Sequence, residues 1–134
     1  MKKIKHLSVA QIIKINEEIV SAFGKEKGIL NPSNLENTIL RVSSYRTSDM
    51  KEAILWKAAI LLERIIQLHP FLDGNKRTAY EACKIFLEIN DFTLNAADSE
   101  IISLVIDVAK GKADRHVIRW WLTNRVSKGE SESI

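Results

Sequence analysis

The chain is organised around nine consecutive residues, His69-Pro70-Phe71-Leu72-Asp73-Gly74-Asn75-Lys76-Arg77. They supply an imidazole that can take up a proton, a carboxylate that can hold a metal ion, a carboxamide and two cations. A long apolar segment precedes the stretch and another follows it. Because Pro70 disfavours helical geometry at the residue before it, we expect the incoming helix to end near His69. Asp73-Gly74 is a turn signal that should open the next helix.

The stretch is therefore expected to lie at the N-terminus of a helix. Unpaired backbone N–H groups in a first helical turn, together with the positive end of the helix dipole, form an anion site. Lys76 and Arg77 add positive charge there. Taken singly, a His before Pro, an Asp-Gly-Asn turn and a Lys-Arg pair are more often structural than functional. Their combination within one short stretch favours a site that handles a phosphate.

The stretch resembles the Fic motif, His-x-Phe-x-Asp/Glu-Gly-Asn-Gly/Lys-Arg, at every fixed position. The matching residues are His69, Phe71, Asp73, Gly74, Asn75, Lys76 and Arg77. Within that superfamily the sequence looks most like the death-on-curing (Doc-type) toxins. Lys76 stands where AMP-transferring members usually have glycine, and Tyr80 stands where they usually have a second arginine. Gly74, where some Doc-type members carry alanine, is shared with the AMP-transferring branch.

The resemblance implies a set of site residues and two cofactors, ATP and Mg²⁺. His69 would be the general base that deprotonates the acceptor hydroxyl. Asp73 would hold the metal, because a carboxylate oxygen suits a hard cation. The phosphates would be bound by backbone amides and side chains of Gly74, Asn75, Lys76 and Arg77.

Three functions remain open on these residues. Lys76 fills space that a glycine would leave for AMP transfer, and its charge would draw the terminal phosphate toward His69. With Tyr80, this implies γ-phosphate transfer, for which the usual acceptor in the Doc-type family is a hydroxyl of translation elongation factor Tu. Gly74 favours the alternative, AMP transfer to a protein hydroxyl. A third possibility is a catalytically silent module that keeps the loop as an anion or partner site.

The resemblance also implies a protein partner. Many Fic enzymes inhibit themselves with a Ser/Thr-x-x-x-Glu-Gly/Asn helix, whose glutamate pairs with the motif arginine. The nearest match here is Ser48 with Glu52, which is followed by Ala53 at the start of the central helix. We therefore expect no self-inhibition. An antitoxin protein acting in trans is expected instead, with a C-terminal segment that folds on binding and covers a groove and an exposed apolar strip beside the motif.

Composition narrows the class of protein. The chain has 134 residues and 46% hydrophobic content, which fits a single globular domain. Its net charge is +3, and its cations are interspersed with acids, so direct nucleic-acid binding is not expected. No apolar run is long enough to span a bilayer, and the residues after the N-terminal lysines are too polar for a signal peptide. We predict a soluble, cytoplasmic protein with no membrane partner. The one cysteine, Cys83, is expected to pack in the core.

The apolar pattern predicts an all-α bundle of about six helices, with a central antiparallel pair around the motif loop. The resemblance implies that this bundle is of the Fic type. Ser8 and Gln11 fit a capping box, and Ile12, Ile15, Ile19 and Phe23 then give the first helix an apolar face. Asn31-Pro32 is a helix start with Asn31 as the cap. Residues 50–68 are apolar on nearly all sides and should form the central helix. The motif helix should follow from about residue 75 to residue 90.

Three segments have no helical pattern. Residues 43–49 could form an irregular loop or a short hairpin, and the resemblance suggests that they are a flap that aligns the target peptide by backbone pairing. Residues 91–94 are expected to be a short connection. The single domain is expected to cover residues 1–126, and residues 127–134 should be a polar, flexible tail.

Overall fold

Six helices and a two-stranded sheet make up the described chain. The structure, a computed structural model, describes residues 3–24 and 26–129. The helices are α1 (Val9–Phe23), α2 (Pro32–Ser44), α3 (Met50–Leu68), α4 (Asn75–Ile89), α5 (Asp98–Ala109) and α6 (Arg115–Thr123). The strands are β1 (Phe92–Leu94), after α4, and β2 (Val126–Lys128), after α6. The prediction of an all-α fold with six helices is confirmed.

The central pair consists of α3 and α4. Most of the α3 side chains are buried, as its nearly continuous apolar pattern predicted. On α4, Ala79, Ala82 and Cys83 are fully buried, and their small side chains let the two helices approach closely. Helices α1, α2, α5 and α6 surround this pair. None of the described helices is both long and apolar enough to cross a membrane.

Local capping signals set the start of α1 and connect α2 to α3. Ser8 and Gln11 form the predicted capping box, with hydrogen bonds of 2.8 and 3.1 Å. Helix α2 begins at Pro32 as expected, but the Asn31 side chain does not cap it. That capping prediction was wrong. The carboxamide of Asn31 donates instead to the carbonyl of His69, at 3.4 Å, and so connects the start of α2 to the end of α3.

The sheet corrects two predictions. β1 and β2 pair antiparallel, with Phe92 opposite Lys128, Thr93 opposite Ser127 and Leu94 opposite Val126. Residues 92–94 therefore form a strand, not a plain connection. Ser127 and Lys128 belong to the folded domain, not to a flexible tail. Three residues are too few for an alternating pattern to predict a strand. Residues 130–134, the rest of the predicted tail, lie outside the described residues.

The segment at residues 43–49 is far from the motif. α2 continues through Ser44 and residues 45–49 contain no strand, so the hairpin alternative was wrong. Asp49 caps the N-terminus of α3 by accepting from the backbone N–H of Glu52, at 3.0 Å. α3 has 19 residues and therefore spans roughly 28 Å at 1.5 Å per residue. Because the motif follows the opposite end of α3, residues 43–49 cannot be the flap over it.

Candidate active site

The backbone of His69 takes a left-handed conformation where α3 ends. Its φ and ψ angles are 47° and 63°, a region in which a residue other than glycine costs about 1–3 kcal/mol. The neighbouring loop holds the turn, because the N–H groups of Leu30 and Asn31 donate to the Pro70 carbonyl at 2.8 and 3.0 Å. Among the described residues, the exposed imidazole of His69 has no hydrogen-bond partner. It is thus available to a substrate.

Phe71 anchors the motif loop in the core. Its side chain is only 1% exposed. Its backbone N–H donates to Asn75 Oδ1 at 3.0 Å, and its carbonyl accepts from Asn75 Nδ2 at 2.9 Å. Both ends of the Asn75 carboxamide are therefore occupied in bracing the loop. The role of that carboxamide in phosphate binding stays a prediction, and the structure adds a structural role that sequence reasoning missed.

Helix α1 holds the Asp73-Gly74 turn. Gly74 has φ +74°, which glycine adopts freely, and its N–H donates to Asp73 Oδ1 at 2.8 Å. The carbonyl of Asp73 accepts from the carboxamide of Asn16, at 2.9 Å, and Asn16 also donates to Thr78 Oγ1 at 3.1 Å. Asn16 is 1% exposed. Sequence reasoning missed Asn16, because a single polar residue in an amphipathic helix is usually solvated.

Three backbone N–H groups are open at the start of α4. The first helical bond of α4 runs from the Thr78 N–H to the Gly74 carbonyl, at 2.9 Å. The N–H groups of Asn75, Lys76 and Arg77 precede it, and none has a partner within the described chain. The Gly74 N–H is occupied by Asp73. The predicted anion site therefore begins at Asn75, one residue later than the sequence suggested.

The side chains around this N-terminus favour an anion. Lys76 and Arg77 are exposed, and neither forms an ion pair with a described residue. The Arg77 guanidinium lies 4.2 Å from the centre of the Phe23 ring. Burial, with a smaller effect from Glu81, raises the pKa of Tyr80 to about 12. Tyr80 is neutral near pH 7, and a phenol has no cationic form that could supply the charge of a second arginine.

A groove between α4 and α5 adjoins the two cations. It has a volume of about 340 Å³. Lys76, Arg77, Tyr80 and Glu81 line it from α4, and Asp98, Ile101, Ile102 and Val105 line it from α5. Its lining combines charged side chains from both helices with the apolar side chains that α5 contributes.

The segment beside the motif is the loop between α1 and α2. Ile29 and Phe71 form an isolated antiparallel bridge. The Leu72 N–H donates to the Gly28 carbonyl at 3.1 Å, and the Leu30 N–H donates to Pro70. In this register the N–H and C=O of Ile29 point away from the motif. Gly28, at φ +146°, permits the approach.

The carboxylate of Asp73, the predicted metal ligand, accepts a backbone hydrogen bond. Asp73 Oδ1 accepts the Gly74 N–H, and Oδ2 lies beside Gly24, where an added Cβ would be 2.8 Å away. The described residues contain no group of three His, Cys, Asp or Glu side chains that could hold a metal. A single carboxylate fits Mg²⁺, which keeps several waters and takes phosphate oxygens as ligands. The assignment of Asp73 to the metal stays a prediction.

Glu52 is remote from the motif arginine. It lies in the first turn of α3, opposite the end that leads into the motif, and its carboxylate pairs with Arg119 at 3.3 Å. This position agrees with the expectation that Glu52 does not inhibit through Arg77.

The motif loop thus leads into a helix N-terminus at which open backbone N–H groups and two exposed cations lie together. The Fic/DOC family model matches residues 6–87, which include the whole motif. The chain belongs to the Fic/DOC family. It is 28% identical over 119 residues to the protein kinase doc of Escherichia phage P1, covering 80% of this chain and 94% of that relative. It is 37% identical over 81 residues to the toxin Doc of Mycolicibacterium smegmatis, covering 60% of this chain and 62% of that relative. The resemblance to the Doc-type branch is confirmed.

Proposed function

We propose that this protein is a Doc-type toxin that transfers the γ-phosphate of ATP to a protein hydroxyl and so inhibits translation. One observation carries the proposal: the exposed His69 imidazole and the open N–H groups at the start of α4 lie at the two ends of the same short loop. One relative is named a protein kinase and the other a toxin, which supports a transferase-type enzyme in this role. By the Doc-type resemblance, the expected acceptor is a hydroxyl of elongation factor Tu.

The reaction needs a base and a phosphate site. His69 accepts the proton of the attacking hydroxyl, whose oxygen forms a bond to the γ-phosphorus. The bond between that phosphorus and the β–γ bridging oxygen breaks, and ADP leaves with the electron pair. The open N–H groups of Asn75, Lys76 and Arg77, with the two cationic side chains, stabilise the charge on the phosphate oxygens. Mg²⁺ held by Asp73 would neutralise further phosphate charge.

Two residues favour transfer of phosphate over AMP. Lys76 occupies the second position of α4 with a charged side chain, where glycine would leave room for a different nucleotide orientation. Tyr80 is neutral, so the second cation of the AMP-transferring pattern is missing at this position. Gly74 is the feature that keeps AMP transfer as the alternative.

The loop between α1 and α2 replaces residues 43–49 as the segment that aligns the acceptor. The outward N–H and C=O of Ile29 are available for pairing with an extended chain. Ile29, Leu30 and Leu72 are 40%, 53% and 47% exposed, and so offer apolar contacts next to that edge.

Mass spectrometry of purified elongation factor Tu tests the reaction. We expect incubation with the protein, ATP and Mg²⁺ to add the mass of a phosphate, and the His69→Ala variant to add none. An AMP adduct would instead support the alternative transfer. ATP turnover or labelling that survives His69→Ala would contradict His69 as the base. A wild-type protein that binds ATP but neither turns it over nor labels a target would favour the silent module.

Growth of a bacterial host tests the biological role and the antitoxin. We expect expression of the chain alone to arrest growth, and the His69→Ala variant to be harmless at the same expression level. Co-expression of the adjacent small reading frame should relieve the arrest. Harmless high expression of the active, intact protein would contradict the toxin assignment.

A further inference from the structure

Phe23 is the most exposed large apolar side chain in the described part of the protein. It ends α1 and is 69% exposed. Its spacing from Ile12 and Ile19 predicted a place on the buried face of α1, and that prediction was wrong. The ring instead lies against the Arg77 guanidinium, with 4.2 Å between the ring centre and Cζ. A phenyl ring exposed to water at a helix end contributes little to the core. Core packing therefore does not account for its position, and its contact is with Arg77.

Arg77 can bind a phosphate only if its other partners leave its hydrogen-bond donors open. It lies in the first turn of α4, beside the open N–H groups, and has no ion pair with a described residue. A carboxylate partner would occupy the N–H donors and compete with a phosphate. An aromatic face attracts the guanidinium through its π electrons and leaves those donors available. The ring can therefore direct the side chain without blocking it.

We infer that Phe23 is a positioning residue for Arg77, holding the guanidinium ready for a phosphate oxygen of the nucleotide. This inference rests on the proposed function and extends it to a residue outside the motif. The end of α1 also borders the predicted metal ligand, because a Cβ on Gly24 would lie 2.8 Å from Asp73 Oδ2. Phe23 and the following Gly24 thus place the end of α1 beside the side chains of Arg77 and Asp73.

A double-mutant cycle on the full chain tests the inference. The four proteins are wild type, Phe23→Leu, Arg77→Met and the double variant, and kcat and KM for ATP are measured for each. We expect Phe23→Leu to lower kcat/KM by about two- to fivefold, the effect of an exposed cation–π contact. In the Arg77→Met background the same change should have no further effect. Phe23→Tyr, which keeps an aromatic face, should retain the wild-type value.

The control is Leu40→Ala, which truncates a similarly exposed side chain on α2 and should leave kcat/KM unchanged. A Phe23→Leu protein as active as wild type overturns the inference. An equal loss in both backgrounds also overturns it, because Phe23 would then act without Arg77. A wild-type protein that transfers no phosphate contradicts the proposed function instead. In that case the unfolding free energies of the same four proteins decide: coupling supports the contact and additivity refutes it.

Discussion

The cations that follow the C-terminal end of α3 and the lysine in its N-terminal half lie in opposite surroundings. The chain that follows the C-terminal end carries Lys76 and Arg77, exposed and beside open backbone N–H groups. In the N-terminal half of α3, Lys57 is only 3% exposed. Its ammonium donates to the carbonyls of Val42 and Ser43 at 2.7 and 3.3 Å, and it lies 3.0 Å from His6 Nε2.

The difference shows that the hydrogen-bond partners of a lysine or arginine side chain indicate its role better than its positive charge does. All three N–H donors of Lys57 are used, two of them on carbonyls in the last turn of α2 that have no helical partner. Burial, with the charge of Arg46, lowers the pKa of Lys57. Lys57 is therefore a structural cation, whereas Lys76 and Arg77 keep their donors for a ligand.

The largest loss of activity is expected from substitutions in the motif that follows α3. His69→Ala is expected to lower phosphate transfer by about 10²–10⁴-fold, the usual contribution of a general base. Nucleotide binding should persist, since the base acts in the chemical step. Asp73→Ala should instead weaken Mg²⁺-dependent ATP binding. Calorimetric titration with ATP and Mg²⁺ measures both variants, and an equal loss of affinity in the two would refute this division of roles.

The next largest effect is expected on the free energy of unfolding, from a variant of Lys57. Lys57→Met keeps the apolar stem but leaves the carbonyls of Val42 and Ser43 without a donor, which should cost about 1–3 kcal/mol of unfolding free energy. Lys76→Met is the matched control. It should change stability by less than about 0.5 kcal/mol and yet lower transfer.

Urea unfolding and a transfer assay below the unfolding transition separate the two lysine variants. If Lys57→Met were as stable as wild type, the ammonium would not be needed as a cap. If Lys76→Met lost stability and kept its activity, the comparison between the two ends of α3 would be wrong.

Sequence reasoning predicted the helices and placed the motif correctly because both depend on local signals. The apolar run of α3, Pro70 after the helix end and the Asp73-Gly74 turn each act within a few residues. The predicted site residues lie on the loop between α3 and α4 and in the first turn of α4. The same signals could not show that Asn75 braces that loop, because its partner, the Phe71 backbone, is fixed only by the folded turn.

The features that were missed depend on contacts between distant parts of the chain. Asn16 reaches Asp73 across 57 residues of sequence, and β1 pairs with β2 only after α5 and α6 have brought Val126 beside Leu94. The flap was misplaced for the same reason, since pairing of Ile29 with Phe71 joins two loops that are separated by α2 and α3. Periodicity within a segment carries no information on such contacts.

A smaller loss of stability is expected from substitution of Cys83, in the middle of α4. Cys83 is fully buried, and burial raises the pKa of its thiol to about 12. Cys83→Ala should cost about 1 kcal/mol of stability and leave transfer unchanged. The native thiol should not react with iodoacetamide near pH 7, because the thiolate is the reactive form. Loss of activity in a folded Cys83→Ala protein would show a functional thiol and contradict this core assignment.

The smallest expected effect is a pH dependence of the unfolding free energy that comes from His6, beside Lys57. Burial, and then the charge of Lys57, lower the pKa of His6 from 6.5. A proton on His6 Nε2 would also remove the acceptor that faces the ammonium. Since the unfolded chain binds this proton more readily, stability should fall as the pH drops through about 6.5 toward the lowered pKa. Glu100 and Asp114 have lowered pKa values and lose their contributions only below 4.5 and 3.8, outside this window.

His6→Gln provides the control, because its side-chain carbonyl can accept from Lys57 and does not titrate. Urea unfolding between about pH 7.5 and pH 5.5 should give a shallower loss of stability for His6→Gln than for wild type. The motif variant Lys76→Met should keep the wild-type slope, since its side chain is remote from His6. Parallel pH profiles for wild type and His6→Gln would mean that His6 is not the titrating group. In that case the contact between His6 and Lys57 would make no proton-linked contribution to stability.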